Sequence, residues 1–209
     1  MKRKFDLFFS SLGLILLAPF FLSLIIVIRR DGGPAFFRQR RVGLRGRIFS
    51  IYKFRTMIVD ADRKGGQITV EYDPRITKIG RMLRKTKLDE LPQLLNVWSG
   101  DMSLVGPRPE VPFYVGKWSE ADRAKILSIK PGITDYATLF YNDEQGILAE
   151  AYDPEKAYIK HIMPHKLQLY KQYVHDQSFW LDFRIIVATL CKMVGFNKEF
   201  LLPGIKVVQ

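Results

Sequence analysis

Two adjacent carboxylates, Asp89 and Glu90, stand inside the run Leu88-Asp89-Glu90-Leu91-Pro92. Arg84 precedes Asp89 by five residues, and Gly106-Pro107-Arg108-Pro109 follows. Proline fixes its own φ and restricts the residue before it, so prolines on both sides hold the Arg108 backbone, while Gly106 permits close approach. A prearranged guanidinium suits a bound phosphate or base. Two arginines about a carboxylate pair therefore predict phosphoryl chemistry, in which one carboxylate attacks phosphorus and a divalent cation shields the repulsion between two anions. No P-loop or other phosphate-binding glycine motif occurs, which disfavours an ATPase. The competing reading is a pair of acids that only compensates a helix dipole. His161 and His165 have the i,i+4 spacing of metal ligands, but Pro164 lies between them and no third ligand is evident, so zinc is disfavoured.

The surrounding residues indicate which elements hold these groups. Leu88, Leu91, Leu94, Leu95 and Trp98 form an apolar helical stripe that ends at Ser99-Gly100. Pro92 is tolerated only in a first turn, so this helix is expected to begin near Leu88, with its positive end beside the acids. Ile76, Ile79 and Leu83 predict a shorter helix that carries Arg84. Phe36 to Val42 and Arg47 to Met57 are β-rich runs separated by Gly43-Leu44-Arg45-Gly46, which predicts a hairpin with a four-residue loop. Phe179 to Val194 is an amphipathic helical stretch suited either to the core or to a membrane surface.

The net charge of +12 over 209 residues is unevenly placed: the first 60 residues hold 12 Lys/Arg against 3 Asp/Glu. Within that basic region Leu7 to Ile28 runs 22 residues without a charge, long enough for a helix of about 33 Å, roughly the hydrocarbon thickness of a bilayer. Such a segment belongs in a membrane. Arg29-Arg30 follows it with no small-x-small cleavage site, which argues against a signal peptide. Lys2, Arg3 and Lys4 precede it, and Arg29, Arg30, Arg38, Arg40 and Arg41 follow, so both flanks read as cytoplasmic. With Pro19 near the midpoint and Gly13 and Ser23 nearby, two readings remain open: a re-entrant helix-break-helix, or one kinked spanning helix. Basic residues beside the bilayer favour anionic inner-leaflet lipids as partners, and nucleic acid is disfavoured because its binders rarely carry such an apolar segment. A single cysteine, Cys191, excludes a disulfide framework.

Four motifs in this order, Lys53-Phe54-Arg55-Thr56-Met57, Leu88-Asp89-Glu90-Leu91-Pro92-Gln93-Leu94, Gly100-Asp101-Met102-Ser103-Leu104-Val105-Gly106-Pro107-Arg108-Pro109 and Lys130-Pro131-Gly132-Ile133-Thr134, lie behind one N-terminal apolar segment. Together they resemble the bacterial sugar transferases of the small monotopic phosphoglycosyl transferase family. The resemblance covers nearly the whole chain. It implies an α+β, mainly helical, monotopic protein with a re-entrant anchor at residues 1–34 broken at Pro19, and a cytoplasmic catalytic domain with a basic β-hairpin and interfacial helices at residues 35–209. It implies transfer of a sugar-1-phosphate from a UDP-sugar to undecaprenyl phosphate at the cytoplasmic face of the bacterial inner membrane, releasing UMP and starting a lipid-linked glycan. Asp89 would be the nucleophile that forms a covalent phospho-sugar intermediate, and Glu90 would help hold Mg²⁺ or handle protons. Arg84 would meet the diphosphate, and Arg108, between Pro107 and Pro109, the nucleotide. Lys53 and Arg55 would line the anionic site, and Asp182 matches a carboxylate of the family's C-terminal helix. A homo-oligomer is compatible with this reading.

The chain departs from the family pattern in three places. Ala18-Pro19 replaces a Ser-Pro pair, leaving Ser23 or the lipid-facing geometry to compensate. Asp135-Tyr136-Ala137-Thr138 and Asn142-Asp143-Glu144 replace a commoner sequence and form the candidate region for sugar selection. The tail from Asn197 to Gln209 aligns with no motif. The competing functional class is a membrane-anchored, non-catalytic binding or scaffold protein whose Asp89-Glu90 pair merely caps a helix.

Overall fold

The computed structural model describes residues 1–61, 69, 73–141 and 144–193; Asn142, Asp143 and the tail beyond Met193 lie outside the described residues. The first helix, α1 (Lys2–Arg30), contains the whole apolar run and continues through Pro19 without a change of assignment. The proline at that position removes the donor that would have met the Ile15 carbonyl. Ser23 Oγ donates to the Pro19 carbonyl at 3.0 Å, one turn further on, so it reinforces the turn after the proline and leaves the Ile15 carbonyl as it is. Ile15, Leu16 and Leu22 are exposed, whereas Asp6, Ser10, Leu24 and Ile28 are buried. The helix is thus held by the remaining protein near both ends and bare in the middle.

Strands β1 (Phe36–Val42) and β2 (Ile48–Phe54) pair antiparallel from Phe36 opposite Phe54 to Val42 opposite Ile48. Alternation along β2 sends Phe49, Ile51 and Lys53 to one face and Phe54 to the other. Phe49 and Ile51 pack on Val97 and Met102. Phe54 packs with Leu24 and Ile28 of α1 and with Leu83 of α2 (Lys78–Lys85). A two-residue period therefore aims Lys53 toward the element that carries Asp89 and Glu90, while its neighbour fixes the anchor.

That element differs from the expected helix start. Leu88–Glu90 forms a 3₁₀ turn entered by Lys87 in the left-handed region (φ 58°), and the α-helix proper, α3, spans Gln93–Ser99 with Pro92 at its N-cap. The cause is local: Pro92 supplies no N–H, so the chain tightens through i to i+3 bonds, Leu91 N to Leu88 O at 3.3 Å among them. Gly100, at φ 93°, ends α3 as expected. Asn96 is fully buried and completes the free edge of β2: its Nδ2 donates to the Ser50 carbonyl at 2.8 Å, and its Oδ1 accepts from Tyr52 N at 2.9 Å. This amide docks α3 on the hairpin in one register.

A second, parallel pair joins β3 (Ser103–Val105) to β4 (Gly132–Thr134), separated by α4 (Pro112–Val115) and α5 (Glu120–Ile126). Helices α6 (Tyr136–Phe140), α7 (Glu144–Ala149), α8 (Pro154–Ala157), α9 (Met163–Asp176) and α10 (Phe179–Met193) follow, with a π-helical segment Tyr158–Ile162 before α9. Tyr170, Tyr173, Leu139, Ile126 and Ile185 form the centre of the larger core. The architecture is the expected mainly helical α+β arrangement with one long apolar N-terminal helix. Helix α10 serves two environments: Ile185 and Ala188 face the core, while Phe179, Trp180, Phe183 and Leu190 are exposed.

The N-terminal end of α1 is fastened by polar groups. Asp6, buried, accepts from Ser103 Oγ and Leu104 N, each at 3.0 Å. Arg3 Nη2 donates to the Trp98 carbonyl at 2.7 Å, and Lys2 pairs with Asp182, which also accepts from Tyr173 OH at 2.6 Å. Asp6→Ala strands two donors and is expected to cost about 2–4 kcal/mol, a buried donor without a partner costing about 1–3 kcal/mol. Asp6→Asn keeps an acceptor and is expected to lose less than half of that; thermal unfolding of both purified variants in detergent checks the ranking.

Candidate active site

The two carboxylates of the 3₁₀ turn have opposite surroundings. Glu90 accepts from Lys53 Nζ at 2.8 Å and from both Arg108 Nη atoms, Nη1 at 2.9 Å, in a two-pronged pair. Asp89 is buried and makes no hydrogen bond or ion pair among the described residues. It faces an open cleft that Lys53, Arg84, Glu90 and Arg108 also line. Arg84 leaves Nη1 buried without a hydrogen-bond partner. One carboxylate is therefore locked, and its neighbour stays open beside an unsatisfied guanidinium donor.

Backbone constraints place each group. Gly80 brings α2 against the chain after β2, because a Cβ there would lie 2.0 Å from the Thr56 carbonyl oxygen; this contact sets where Arg84, one turn on, projects. The Arg108 turn rests on a second close approach. A Cβ on Gly132 would fall 2.1 Å from Gly106 N, and the backbones instead exchange bonds, Gly106 N to Thr134 O at 3.1 Å and Gly132 N to Pro107 O at 3.0 Å. Pro109 offers its carbonyl to Arg41 Nη1 at 3.0 Å. Asp135, fully buried, accepts from Arg108 N at 3.2 Å and caps α6 through Thr138 N at 2.7 Å. Pro107 and Pro109 thus act through the Arg108 backbone, and Asp135 is a positioning residue that the sequence placed in another role.

Electrostatics separate the pair further. Burial pushes the Asp89 carboxyl above the usual aspartate range; Lys53 and Arg84 oppose this and the Glu90 charge adds to it. Burial acts on Glu90 in the same direction, but Arg108 and Lys53 overcome it and hold that carboxyl well below its usual range. Glu90 in turn holds Arg108 well above the ordinary guanidinium value. Burial lowers Arg84 and Lys53, against the pull of the carboxylates. Asp89 is thus the carboxylate of the pair without a hydrogen-bond donor upon it, although both are withdrawn from bulk water.

Two expected site residues are engaged by the protein itself. Arg55 spends its N–H groups on backbone carbonyls: Nε to Pro34 at 2.8 Å, Nη1 to Met57 at 3.2 Å, and Nη2 to Ile28 at 2.9 Å and to Gly32. It borders the cleft, but its donors close the C-terminal end of α1, where four carbonyls would otherwise lack partners. Asp182 is bound to Lys2 and Tyr173, away from Asp89, and fixes the other end of α1. Neither carries a free group toward an anion. His165 Nδ1 pairs with Tyr141 OH at 2.9 Å, and no cluster of three metal-ligating side chains occurs among the described residues.

A second polar cluster, whose Glu110 and Lys166 no sequence motif pointed to, adjoins the Arg108 turn. Glu110 is buried and accepts from Tyr158 OH at 2.6 Å and Lys166 Nζ at 3.3 Å, with Arg41 Nη1 at 3.6 Å. Lys166 also meets Glu144 at 3.3 Å. The segments concerned are far apart in sequence; the available signal was a lysine at a core-facing position of a helix, since a buried lysine requires a paired carboxylate.

The opposed surroundings of Asp89 and Glu90 give opposed stability effects. Between the ordinary aspartate value and the raised one, the folded chain keeps a proton that the unfolded chain has lost, so stability falls as pH rises through that window. Asp89→Asn removes the penalty and is expected to raise Tm at pH 7, the gain vanishing as pH falls toward 4. Glu90 contributes stability that is present above its unfolded value and lost as pH falls through its depressed folded value. Glu90→Gln leaves Lys53 and Arg108 uncompensated and is expected to lose about 3–5 kcal/mol at pH 7. Melting curves of both amides between pH 4 and 8 test the opposite signs.

The model of the bacterial sugar transferase family matches residues 1–196. The uncharacterized sugar transferase EpsL of Bacillus subtilis (strain 168) is 40% identical over 195 residues, covering 93% of this chain and 87% of its own length. The galactosyl transferase CpsE of Streptococcus agalactiae serotype III (strain NEM316) is 39% identical over 200 residues, covering 90% of this chain and 41% of its own length. The UDP-glucose:undecaprenyl-phosphate glucose-1-phosphate transferase of Escherichia coli (strain K12) is 33% identical over 195 residues, covering 92% of this chain and 40% of its own length. The chain therefore spans about two fifths of the length of the last two relatives and most of the first. An open carboxylate beside a locked one, among cations that await an anion, accompanies a family match over nearly the whole sequence: the chain belongs to the bacterial sugar transferases.

Proposed function

We propose that this protein transfers a sugar-1-phosphate from a UDP-sugar to undecaprenyl phosphate at the cytoplasmic face of the membrane, through a phospho-sugar carried covalently on Asp89. The observation that carries the reading is the asymmetry of the pair, with Asp89 unpartnered in the cleft and Glu90 committed to Lys53 and Arg108. An Asp89 oxygen attacks the phosphorus that bears the sugar, the bridging P–O bond breaks, and UMP leaves with the electron pair. An oxygen of the polyprenyl phosphate then attacks the same phosphorus and restores the Asp89 carboxylate. Because the two half-reactions follow one another, two anionic substrates need not occupy the site together. Arg84, with its free Nη1, neutralises the diphosphate, and Arg108, braced by Glu90, adds positive charge to the same phosphate-binding end.

The donor set suits a shared Mg²⁺. Both Asp89 oxygens are free, and Glu90 Oε2 accepts only from Arg108 Nη1, which leaves it one acceptor position, whereas Oε1 is filled by Lys53 and Arg108. One or two carboxylates plus substrate phosphates is the usual protein contribution to this ion. When bound, it would offset charge on the diphosphate as the nucleophile approaches.

The anchor reading is re-entrant. Both ends of α1 bind the same catalytic unit, through Asp6 and Lys2 at one end and through Arg55, Phe54 and Leu83 at the other, and the exposed apolar middle lies between them. Phe5, Phe9 and Leu16 of α1 border the cleft that holds Asp89, a path for an isoprenoid chain beside the reacting phosphate. Exposed Arg38, Arg40, Arg81, Lys85 and Lys87 rim that cleft and favour anionic headgroups.

Incubation with a UDP-sugar, Mg²⁺ and undecaprenyl phosphate is expected to release UMP, and omission of the lipid to leave Asp89 heavier by one phospho-sugar in peptide mass spectrometry. Asp89→Asn is expected to abolish both; release of UDP in place of UMP would make the protein an ordinary glycosyl transferase, and no release from any donor favours a scaffold. For the anchor, a Lys4→Cys, Cys191→Ser variant in spheroplasts is expected to resist a membrane-impermeant maleimide, and labelling from the periplasmic side sinks the re-entrant model.

A further inference from the structure

The cleft continues past Arg108 to a wall that the phosphate chemistry does not use. There Lys166 of α9, 4% exposed, is surrounded by oxygens at loose distances: Glu110 Oε1 at 3.3 Å, Glu144 Oε2 at 3.3 Å and Oε1 at 3.4 Å, and Tyr158 OH at 3.5 Å. The carboxylates differ in how firmly they are held. Glu110 has Tyr158 OH at 2.6 Å and Arg41 for company, whereas Glu144 pairs with Lys166 and its side chain is 32% exposed to the cleft. Glu144 and Lys166 line the same cleft as Asp89, Arg84 and Arg108, so this wall and the phosphate-binding end belong to one cavity.

Charge decides what such a wall receives. Arg41 and Lys166 balance Glu110 and Glu144, so this end offers no surplus cation for a second phosphate, in contrast to the unpartnered Arg84 Nη1. What it does offer is a donor and an acceptor side by side about 3.3 Å apart, at the edge of a cavity. Neighbouring ring hydroxyls, or a hydroxyl beside an acetamido group, match that pattern: one oxygen accepts from the ammonium and the adjacent O–H donates to the carboxylate. A neutral polyhydroxylated ring fits, and an anion does not.

We propose that Glu144 and Lys166 form the subsite that reads the ring substituents of the donor sugar, Glu144 as hydrogen-bond acceptor and Lys166 as donor, and that this pair sets which UDP-sugar is used. The proposal rests on the phospho-sugar transfer reading above. It joins Glu144, from the region expected to select the sugar, to a lysine 22 residues further on that no motif singled out.

The test is a donor panel of UDP-glucose, UDP-galactose, UDP-N-acetylglucosamine and UDP-N-acetylgalactosamine, read by UMP release, on the full chain in nanodiscs. Glu144→Gln keeps the side-chain shape and replaces an acceptor-only group with an amide. It is expected to lower the kcat/KM ratio between the best donor and its C4 epimer or C2 analogue by about tenfold or more, the scale of one charge-assisted hydrogen bond. Inhibition by UMP, which carries no sugar, is expected to change by less than about twofold. Equal loss across all donors together with weaker UMP inhibition would mark the pair as merely structural and overturn the subsite, as would an unchanged donor ranking. Absence of UMP release from the wild-type protein with every donor overturns the transferase reading itself, and the subsite with it; wild-type turnover with unmoved selectivity overturns the subsite alone.

Discussion

The Glu90 carboxylate, held between the Lys53 ammonium and the Arg108 guanidinium, is the interaction on which the site depends. It joins three segments: the second strand of the hairpin, the 3₁₀ turn and the proline-bracketed turn. Taking three charges out of water is costly, and mutual attraction offsets that cost only when geometry is good and remaining polar atoms are satisfied. Here the geometry is imposed from behind. Asn96 docks α3 on β2, the Gly106–Gly132 approach fixes the Arg108 turn, and strand alternation aims Lys53 inward. Because Glu90 takes the hydrogen bonds of those two cations, Asp89 one residue earlier is left buried and without a hydrogen-bond partner among the described residues, a poor state for stability of the kind that functional sites retain.

The same economy appears at the anchor. An apolar helix in a bilayer needs no specific contacts to stay there, yet α1 is bound at both ends by polar groups: Asp6 with the start of β3, Lys2 with Asp182, and Arg55 with the terminal carbonyls. These bonds tie the membrane segment to the strands and helices that carry the chemistry. The β3 residues that meet Asp6 lead directly into the Arg108 turn, so the apolar helix and the cleft share one short run of backbone. The apolar helix is therefore fixed in place relative to the strands and turns of the cleft by bonds that run through the core.

Much of this was legible in the residues. The 22-residue apolar run, the Asp-Glu dipeptide, the Pro-Arg-Pro bracket and the alternating hairpin strands carry local signals; the run is helical as expected but continues through Pro19 with no break, and Pro92 tightens the next helix start into a 3₁₀ turn. The partners that Arg55 and Asp182 hold were not legible, because a charged residue beside a motif looks the same whether it meets a substrate, a backbone carbonyl or another side chain. The roles of Asn96, Glu110 and Lys166, and the partners of Asp135 and Glu144, were not legible because those partners are distant in sequence, and no periodicity encodes a long-range hydrogen bond.

What the sequence by itself determined is the chemistry available: which segment is apolar enough for a membrane, which carboxylates sit together, and which turns are rigid, since these follow from side-chain type and near-neighbour backbone restriction. What only the tertiary structure decided is the assignment of partners. Asp89 and Glu90 are adjacent acids in the sequence; one is left open and the other locked because Lys53 and Arg108, 37 residues before and 18 after Glu90, converge on Glu90. Burial and charge pairing depend on distance in space, and that distance exists only once the chain has folded.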